Sequence, residues 1–336
     1  MTTPSSGTAT VPTPPARDQP IDRRRMDFAR IWDRFGIFGV LLLMIGLMAI
    51  LAPNFWTVDN GLNVARAVSI NAILAAGMTI VILTGGIDLS VGSNVAVSGV
   101  AAVLLWTAGW PAAACILAGI LVGSAAGLLN GTLTAYLGLP AFIVTLGALT
   151  YLRGLAYSLT DAQPLIASDM GYRGLGNGSI AGIPSPVVVM VGVYVVLWFV
   201  LQRTRFGRQV YAIGGNAEAA RLAGIKVKRV LTKVYVIMGA CAGLAGVIFS
   251  ARVLSGQPKA GEGYELDAIA AVVLGGTSLM GGIGRIQGTL VGALIIGVLS
   301  NGLVLMNVPF FYQLMIKGSV IVLAVAIDSV KNLKRA

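Results

Sequence analysis

The chain of 336 residues is 56% hydrophobic and only 11% charged, which leaves more apolar surface than one soluble core can bury. This composition excludes a small soluble enzyme and makes lipid the main solvent. The net charge of +11 is concentrated at predicted membrane edges, in residues 17–34, 203–233 and 331–335, and not in a patch for nucleic acid. By the positive-inside rule, these three segments are predicted to be cytoplasmic.

Residues 1–34, rich in Thr, Pro, Ser and Arg, are predicted to form a disordered cytoplasmic tail, and residues 35–336 the transmembrane domain. Apolar runs broken by Pro, Gly or charge predict about ten transmembrane helices, since each run is near the length that crosses about 30 Å of hydrocarbon. An even number of crossings agrees with N- and C-termini that both lie in the cytoplasm. The predicted fold class is an all-α polytopic membrane protein. Its predicted spans are 36–53, 62–84, 88–107, 111–136, 140–160, 186–202, 230–252, 265–281, 285–306 and 310–328.

A short motif recurs in the two halves of the chain. Residues 85–92 (GGIDLSVG) and 275–282 (GGTSLMGG) both read GG-x-x-L-x-x-G after an apolar run. Paired helices interrupted by glycine are typical of a transport pathway built from an internal repeat. The alternative is coincidence in a chain with 44 Gly.

The loop 203–229 has the most specific pattern. Asn216 can cap a short helix, with Glu218 in its first turn and Gly224 at its end. A compact helix in a basic loop between two spans is suited to docking into a groove of a soluble partner. The alternative is a solvated loop helix without a partner.

No catalytic set is evident. The sequence has no His, no Gly-x-Ser-x-Gly turn and no Gly-Lys dipeptide, which excludes a phosphate-binding P-loop. Cys115 and Cys241 lie in apolar spans and are interpreted as packing residues. The sequence therefore predicts a chain that is not an enzyme and holds no cofactor or metal, so any ATP must bind to another subunit.

From Trp32 to its C-terminus, the chain resembles the permease subunits of bacterial ABC importers for ribose, xylose, arabinose and related sugars. Such permeases are multi-pass proteins of the inner (plasma) membrane. The resemblance rests on residues 52–55 (APNF), 84–92 (TGGIDLSVG), 145–147 (TLG), 153–154 (RG), 204–208 (TRFGR), 212–216 (AIGGN), 218–224 (EAARLAG), 255–258 (SGQP), 263–266 (GYEL) and 274–276 (LGG).

The resemblance implies import of a monosaccharide, with ribose as the first expectation, by alternating access. The implied partners are a second copy of the permease, a periplasmic sugar-binding protein, and a cytoplasmic ABC ATPase whose two nucleotide-binding domains carry ATP and Mg. Membrane lipid surrounds the complex, and no nucleic acid is involved. An ion-coupled secondary sugar transporter is the alternative, because it would also fit about ten spans with a repeat.

The resemblance also implies a coupling helix that carries the motion of the ATPase into the membrane. The predicted coupling residues are Gly214, Gly215, Asn216, Glu218, Ala219, Ala220, Arg221 and Gly224.

Polar groups inside the bundle are the expected contacts for sugar hydroxyls, although each could instead bond neighbouring helices. Asp88 is an isolated charge at membrane depth, which favours a functional role, but it could also cap the next helix, with Ser90 in the first turn. The candidate pathway residues are Asn71, Gly85, Gly86, Asp88, Asn94, Asn130, Thr145, Gly275 and Gly276.

Charged residues near the predicted outer surface have a third expected role. Arg153 lies near the outer end of its span, where it is expected to snorkel or to pair with a periplasmic partner. Lys259, Glu262 and Glu265 are expected to help dock the binding protein through charge.

Overall fold

The computed structural model describes residues 23–333, which form thirteen helices and four two-residue strands. The chain divides into two units at Gly36, and residues 37–336 contain every element after α1. In chain order the elements are α1 (Arg23–Leu51), α2 (Val58–Leu83), α3 (Val91–Thr107), α4 (Ala112–Tyr136), α5 (Ala141–Ser158), β1 (Leu165–Ile166), α6 (Gly174–Asn177), β2 (Ser179–Ile180), β3 (Ile183–Pro184), α7 (Ser185–Arg203), α8 (Arg205–Gly215), α9 (Ala217–Leu222), α10 (Val227–Val253), β4 (Ser255–Gly256), α11 (Tyr264–Leu274), α12 (Ile286–Leu305) and α13 (Phe310–Leu333).

The chain is a polytopic helical membrane protein, as the sequence predicts. Within the described residues, six helices are long and apolar enough to cross a membrane: α2, α4, α5, α7, α10 and α12. Shorter apolar helices cover Gly36–Leu51, Val91–Thr107 and Phe310–Leu323. The count of ten crossings and the cytoplasmic position of the termini stay predictions.

The predicted span 265–281 is wrong as a continuous helix. Its helix, α11, has 11 residues and is only about 16 Å long, roughly half the hydrocarbon thickness. Gly276 ends it with a left-handed φ of +82°, which glycine adopts without steric cost. No charged residue follows this turn until Arg285, so the absence of charge does not mark the end of the helix.

The predicted tail and the described structure differ at the start of α1. Residues 23–34 belong to this helix, whereas the sequence assigns them to a disordered tail. Residues 1–22 of that predicted tail lie outside the described residues.

The core is built around α2, α3 and α10, with α4 pressed against α10. A Cβ added to Gly123 would lie 2.4 Å from the carbonyl oxygen of Gly239, and one added to Gly127 would lie 2.1 Å from that of Tyr235. Backbones this close require residues without side chains, the usual device for packing helices in lipid. Cys115 and Cys241 are buried, free thiols in this bundle, which agrees with their interpretation as packing residues.

The two ends of the bundle are distinct. At one end, β1 pairs with β4, Trp106 donates its indole N–H to Asp169 at 3.4 Å, and Asn177 donates to the Ala251 carbonyl at 2.9 Å. The basic loop 203–229 begins α10 at the opposite end. The positive-inside rule predicts that this basic end is the cytoplasmic one, and we call the two ends outer and inner on that basis.

Candidate functional site

The basic loop folds into the two short helices α8 and α9. The Asn216 side-chain oxygen accepts a hydrogen bond from the Ala219 N–H at 2.9 Å, so Asn216 caps α9. Gly224 has a left-handed φ of +83°, and the Ile225 N–H donates to the Ala220 carbonyl at 3.0 Å. The predicted start and end of this helix are therefore confirmed.

Nearly all of α9 is exposed. Ala220 is its buried residue, whereas Leu222 is 78% exposed. Arg221 donates to the Glu218 carboxylate at 3.1 Å, and this contact lowers the pKa of Glu218 below its usual value. The pair is therefore charged at neutral pH, and its attraction is lost only when the pH falls through the lowered pKa.

The end of α8 meets two other backbones. A Cβ added to Gly214 would lie 1.9 Å from the Leu83 carbonyl oxygen at the end of α2, and 2.4 Å from the Gly282 nitrogen. The Gly282 N–H itself donates to the Leu83 oxygen at 2.9 Å. Tyr211, one turn earlier in α8, donates its hydroxyl to the Gly284 carbonyl at 3.0 Å. We call this meeting of residues 83–86, 211–215 and 281–284 the glycine junction.

The two copies of the glycine motif are equivalent helix ends. After α2, Gly85 has φ +77°, and the Gly86 N–H donates to the Val81 carbonyl at 3.1 Å. After α11, Gly276 has φ +82°, and the Thr277 N–H donates to Val272 at 3.2 Å. Both patterns are Schellman motifs. The two turns align with an offset of one residue relative to the sequence motif. The left-handed glycine is Gly85, the first glycine of its pair, in one copy, and Gly276, the second glycine of its pair, in the other.

The junction also contains four residues that were not among the candidates from the sequence: Tyr211, Gly281, Gly282 and Gly284. The closely spaced glycines at positions 281, 282 and 284 are the sequence feature that could have identified this part of the junction. Left-handed φ values of +86° at Gly281 and +73° at Gly282 explain why glycine is needed there.

Asp88 lies buried at the start of α3. Its carboxylate accepts hydrogen bonds from the Ser90 N–H at 2.9 Å and from the Ser90 hydroxyl at 2.6 Å. Asn130 on α4 donates to the same hydroxyl at 2.9 Å, which ties α4 to the start of α3. Tyr235 also approaches this cluster, because its hydroxyl would lie 2.7 Å from a Cβ on Gly86. The N-cap residue of α3 is Ser90, so Asp88 bonds the N-cap residue and does not itself cap the first turn of the helix.

The other polar candidates also bond helix to helix. Asn94 donates to the Gly123 carbonyl of α4 at 3.2 Å. The Thr145 hydroxyl lies 2.9 Å from the Ala141 carbonyl of its own helix and 3.2 Å from the Ile87 carbonyl in the loop before α3. Both side chains are buried. Asn71 lies apart on α2, with a buried side-chain oxygen that has no partner among the described residues. A role in the pathway for these side chains stays a prediction.

Residues 257–263 run deep into the bundle, which corrects their expected position at the outer rim. Gly261 touches the backbone of Gly92, since a Cβ on Gly261 would lie 2.5 Å from the Gly92 oxygen. About 21 Å of helix separates Gly92 from Trp106 at the outer end of α3. We call residues 257–263 the re-entrant segment.

Arg153 holds this segment in place. Its guanidinium donates to the Pro258 carbonyl at 2.7 Å and to the Ala260 carbonyl at 2.8 Å. The expectation that Arg153 snorkels is therefore wrong, because its side chain is engaged within the protein. Lys259 and Glu262 on the same segment are exposed, and Glu265 in the first turn of α11 is partly exposed.

Comparisons with known proteins agree with this architecture. Residues 60–325 match the family described as "Branched-chain amino acid transport system / permease component". The chain is 46% identical to the ribose import permease of Bacillus subtilis, over 93% of this chain and 97% of that protein. It is 39% identical to the D-allose permease of Escherichia coli K12, over 91% and 95% of the two chains.

A third relative is the L-arabinose ABC transporter permease of Azospirillum brasilense, which is 39% identical over 97% of this chain and 96% of that protein. No solved structure matches the chain. The family match and the nearly full coverage of these relatives together show the family of the chain. It belongs to the transport permease family that includes these ribose, allose and arabinose permeases of bacterial ABC importers, and it is a multi-pass protein of the inner membrane.

Proposed function

We propose that the chain is the membrane-spanning subunit of an ATP-driven importer of a monosaccharide, with ribose as the first candidate. Two copies would form the pathway. A cytoplasmic ATPase with two nucleotide-binding domains would carry ATP and Mg, and a periplasmic sugar-binding protein would deliver the substrate. The ribose assignment is supported by 46% identity to a ribose permease along almost the whole of both chains.

The geometry of α9 is the observation that carries the proposal. It is a capped, exposed helix at the basic end of the bundle, anchored by Ala220, and it presents the apolar Leu222 beside the charged pair Glu218–Arg221. An apolar anchor rimmed by charge is the usual composition of a docking helix. The occupant that fits best is the groove of the ATPase.

The glycine junction would transmit the motion of the docked helix α9 into the bundle. Because Gly214 touches the backbones of Leu83 and Gly282 without an intervening side chain, a displacement of α8 and α9 would move the end of α2 together with the loop that joins α11 to α12. Closely packed backbones cannot absorb such a displacement by side-chain rotation. Closure of the ATPase on ATP would thereby reorient the permease around a central sugar path.

Docking can be tested by replacing Leu222 with Asp. The charge should remove the apolar anchor, so we expect the purified permease to lose stoichiometric ATPase while its insertion and monodispersity stay unchanged. Glu218→Arg should have the same effect. Ile183→Asp is the matched control, because Ile183 is 50% exposed at the opposite end of the molecule. Full retention of the ATPase by both α9 variants would refute docking through this helix.

A further inference from the structure

The re-entrant segment lies well inside the bundle. About 21 Å of α3 separates Gly92, its contact, from the outer end at Trp106, and α11, about 16 Å long, follows the segment in the chain. The first part of the segment is continuous with β4, where Gly256 packs against Val100 and Val103. From β4 the chain passes through the turns of residues 258–263 and then continues as the half-helix α11.

The segment is held rigidly from within the subunit. Arg153 binds two of its carbonyls, Pro258 and Ala260 are buried, and Gly261 is pressed against Gly92. Irregular backbone at membrane depth is tolerated where it is buried in protein or lines a water-filled cavity. One face of the segment is buried in protein and meets the first of these conditions. The surroundings of its other face have to be considered separately.

That other face carries charge. Lys259 and Glu262 are exposed, and neither forms an ion pair within the part of the chain that the structure describes. Charged side chains at this depth are too costly to face lipid, and they mark substrate pathways in membrane proteins. A polar environment is therefore expected at this face, and a pathway between two copies of the subunit would supply it.

We propose that Lys259 and Glu262 form a hydrogen-bonding station for the transported sugar on the surface of the pathway. A sugar hydroxyl both donates and accepts, so an ammonium donor and a carboxylate acceptor on the same short segment suit it, and their opposite charges cancel toward a neutral ligand. This proposal rests on the proposed function and replaces the expected role of these two residues in docking the binding protein.

Thiol labelling tests the proposal. Both native cysteines are buried, so Glu262→Cys or Lys259→Cys places a single exposed thiol in the chain. In the assembled complex in proteoliposomes, a charged, membrane-impermeant methanethiosulfonate should react with this thiol. Reaction should abolish sugar uptake, and a saturating supply of sugar with its binding protein should slow the reaction several-fold. Ser179→Cys on the outer hairpin should react without loss of uptake, and Leu121→Cys on the exposed face of α4 should not react.

The variants Glu262→Gln and Lys259→Met, which remove the charges, test the proposal independently. Sugar uptake should fall about tenfold, while association with the loaded binding protein stays unchanged. The proposal is overturned by a thiol that stays unreactive in every nucleotide state, by uptake that survives both labelling and charge removal, or by variants whose defect is loss of binding-protein association. A complex that transports no monosaccharide at all would instead overturn the proposed function.

Discussion

Asp88 is a carboxylic residue in the interior of the bundle that bonds the residue directly before α3. Ser90, the N-cap residue of that helix, donates both its N–H and its hydroxyl to the Asp88 side chain, so Asp88 fixes the turn that leads into the helix. No described residue forms an ion pair with Asp88. The sequence could suggest this role from the Asp-x-Ser spacing but could not separate it from a place in the pathway.

Replacing Asp88 with Asn should preserve one acceptor oxygen and remove the charge. We expect sugar uptake within about twofold of wild type, and a loss of stability of about 1–2 kcal/mol because hydrogen bonds to a charged group are stronger than neutral ones. The readouts are initial uptake rate and the thermal unfolding midpoint in detergent. Uptake reduced tenfold with no change in stability would place Asp88 in the pathway instead.

Arg153 should act through the re-entrant segment. Arg153→Met removes both donors to the Pro258 and Ala260 carbonyls, so the segment should lose its fixed position and sugar uptake should fall at least tenfold. Arg153→Lys should recover part of the activity, since an ammonium can still reach one carbonyl but lacks the planar fork. Arg173→Met, at an exposed position of the outer segment, is the control. Equal uptake by Arg153→Met and the control would contradict this role.

At the scale of elements, the apolar runs predicted the helices well because hydropathy and length decide whether a segment spans a bilayer. Each predicted span contains a helix. The sequence did not predict the end of the half-helix α11, because no charged residue follows the Gly276 turn until Arg285. The sequence also did not predict the depth of residues 257–263, because that depth depends on contacts with Gly92 and Arg153, which are far away in the sequence.

The glycine junction predicts opposite outcomes for two neighbouring residues. Gly214→Ala would place a methyl group 1.9 Å from the Leu83 oxygen, so the junction must open. We expect retained ATPase binding with uptake and coupled ATP hydrolysis reduced at least tenfold. Gly215→Ala meets no atom within 4 Å and should behave as wild type. Loss of function in both variants, or in neither, would argue against transmission through these contacts.

The ion pair between α11 and α13 should stabilise the half-helix. Lys317 donates to Asp267 at 2.9 Å, with side chains that are 22% and 6% exposed. Breaking such a pair leaves a buried charge, so Asp267→Asn and Lys317→Met should each cost about 3 kcal/mol. The double variant should recover much of this loss, measured as the thermal unfolding midpoint. Additive losses would mean that the two side chains do not stabilise each other.

At the scale of the whole molecule, two features set the chain apart from a plain helical bundle. One is the exposed helix α9, which is joined through the glycine junction to the end of α2 and to the loop between α11 and α12. The other is a charged segment held inside the bundle by Arg153. The proposed coupling to an ATPase depends on the first feature, and the proposed sugar contacts depend on the second.

ATP-dependent uptake by the reconstituted complex tests this account most directly. The permease would be purified with the proteins that remain bound to it, placed in proteoliposomes with ATP inside, and supplied with labelled ribose and a periplasmic ribose-binding protein from the same organism. We predict ribose accumulation that requires both ATP and the binding protein, and that Leu222→Asp abolishes. Accumulation driven by an ion gradient without ATP, with no ATPase recovered, would contradict it.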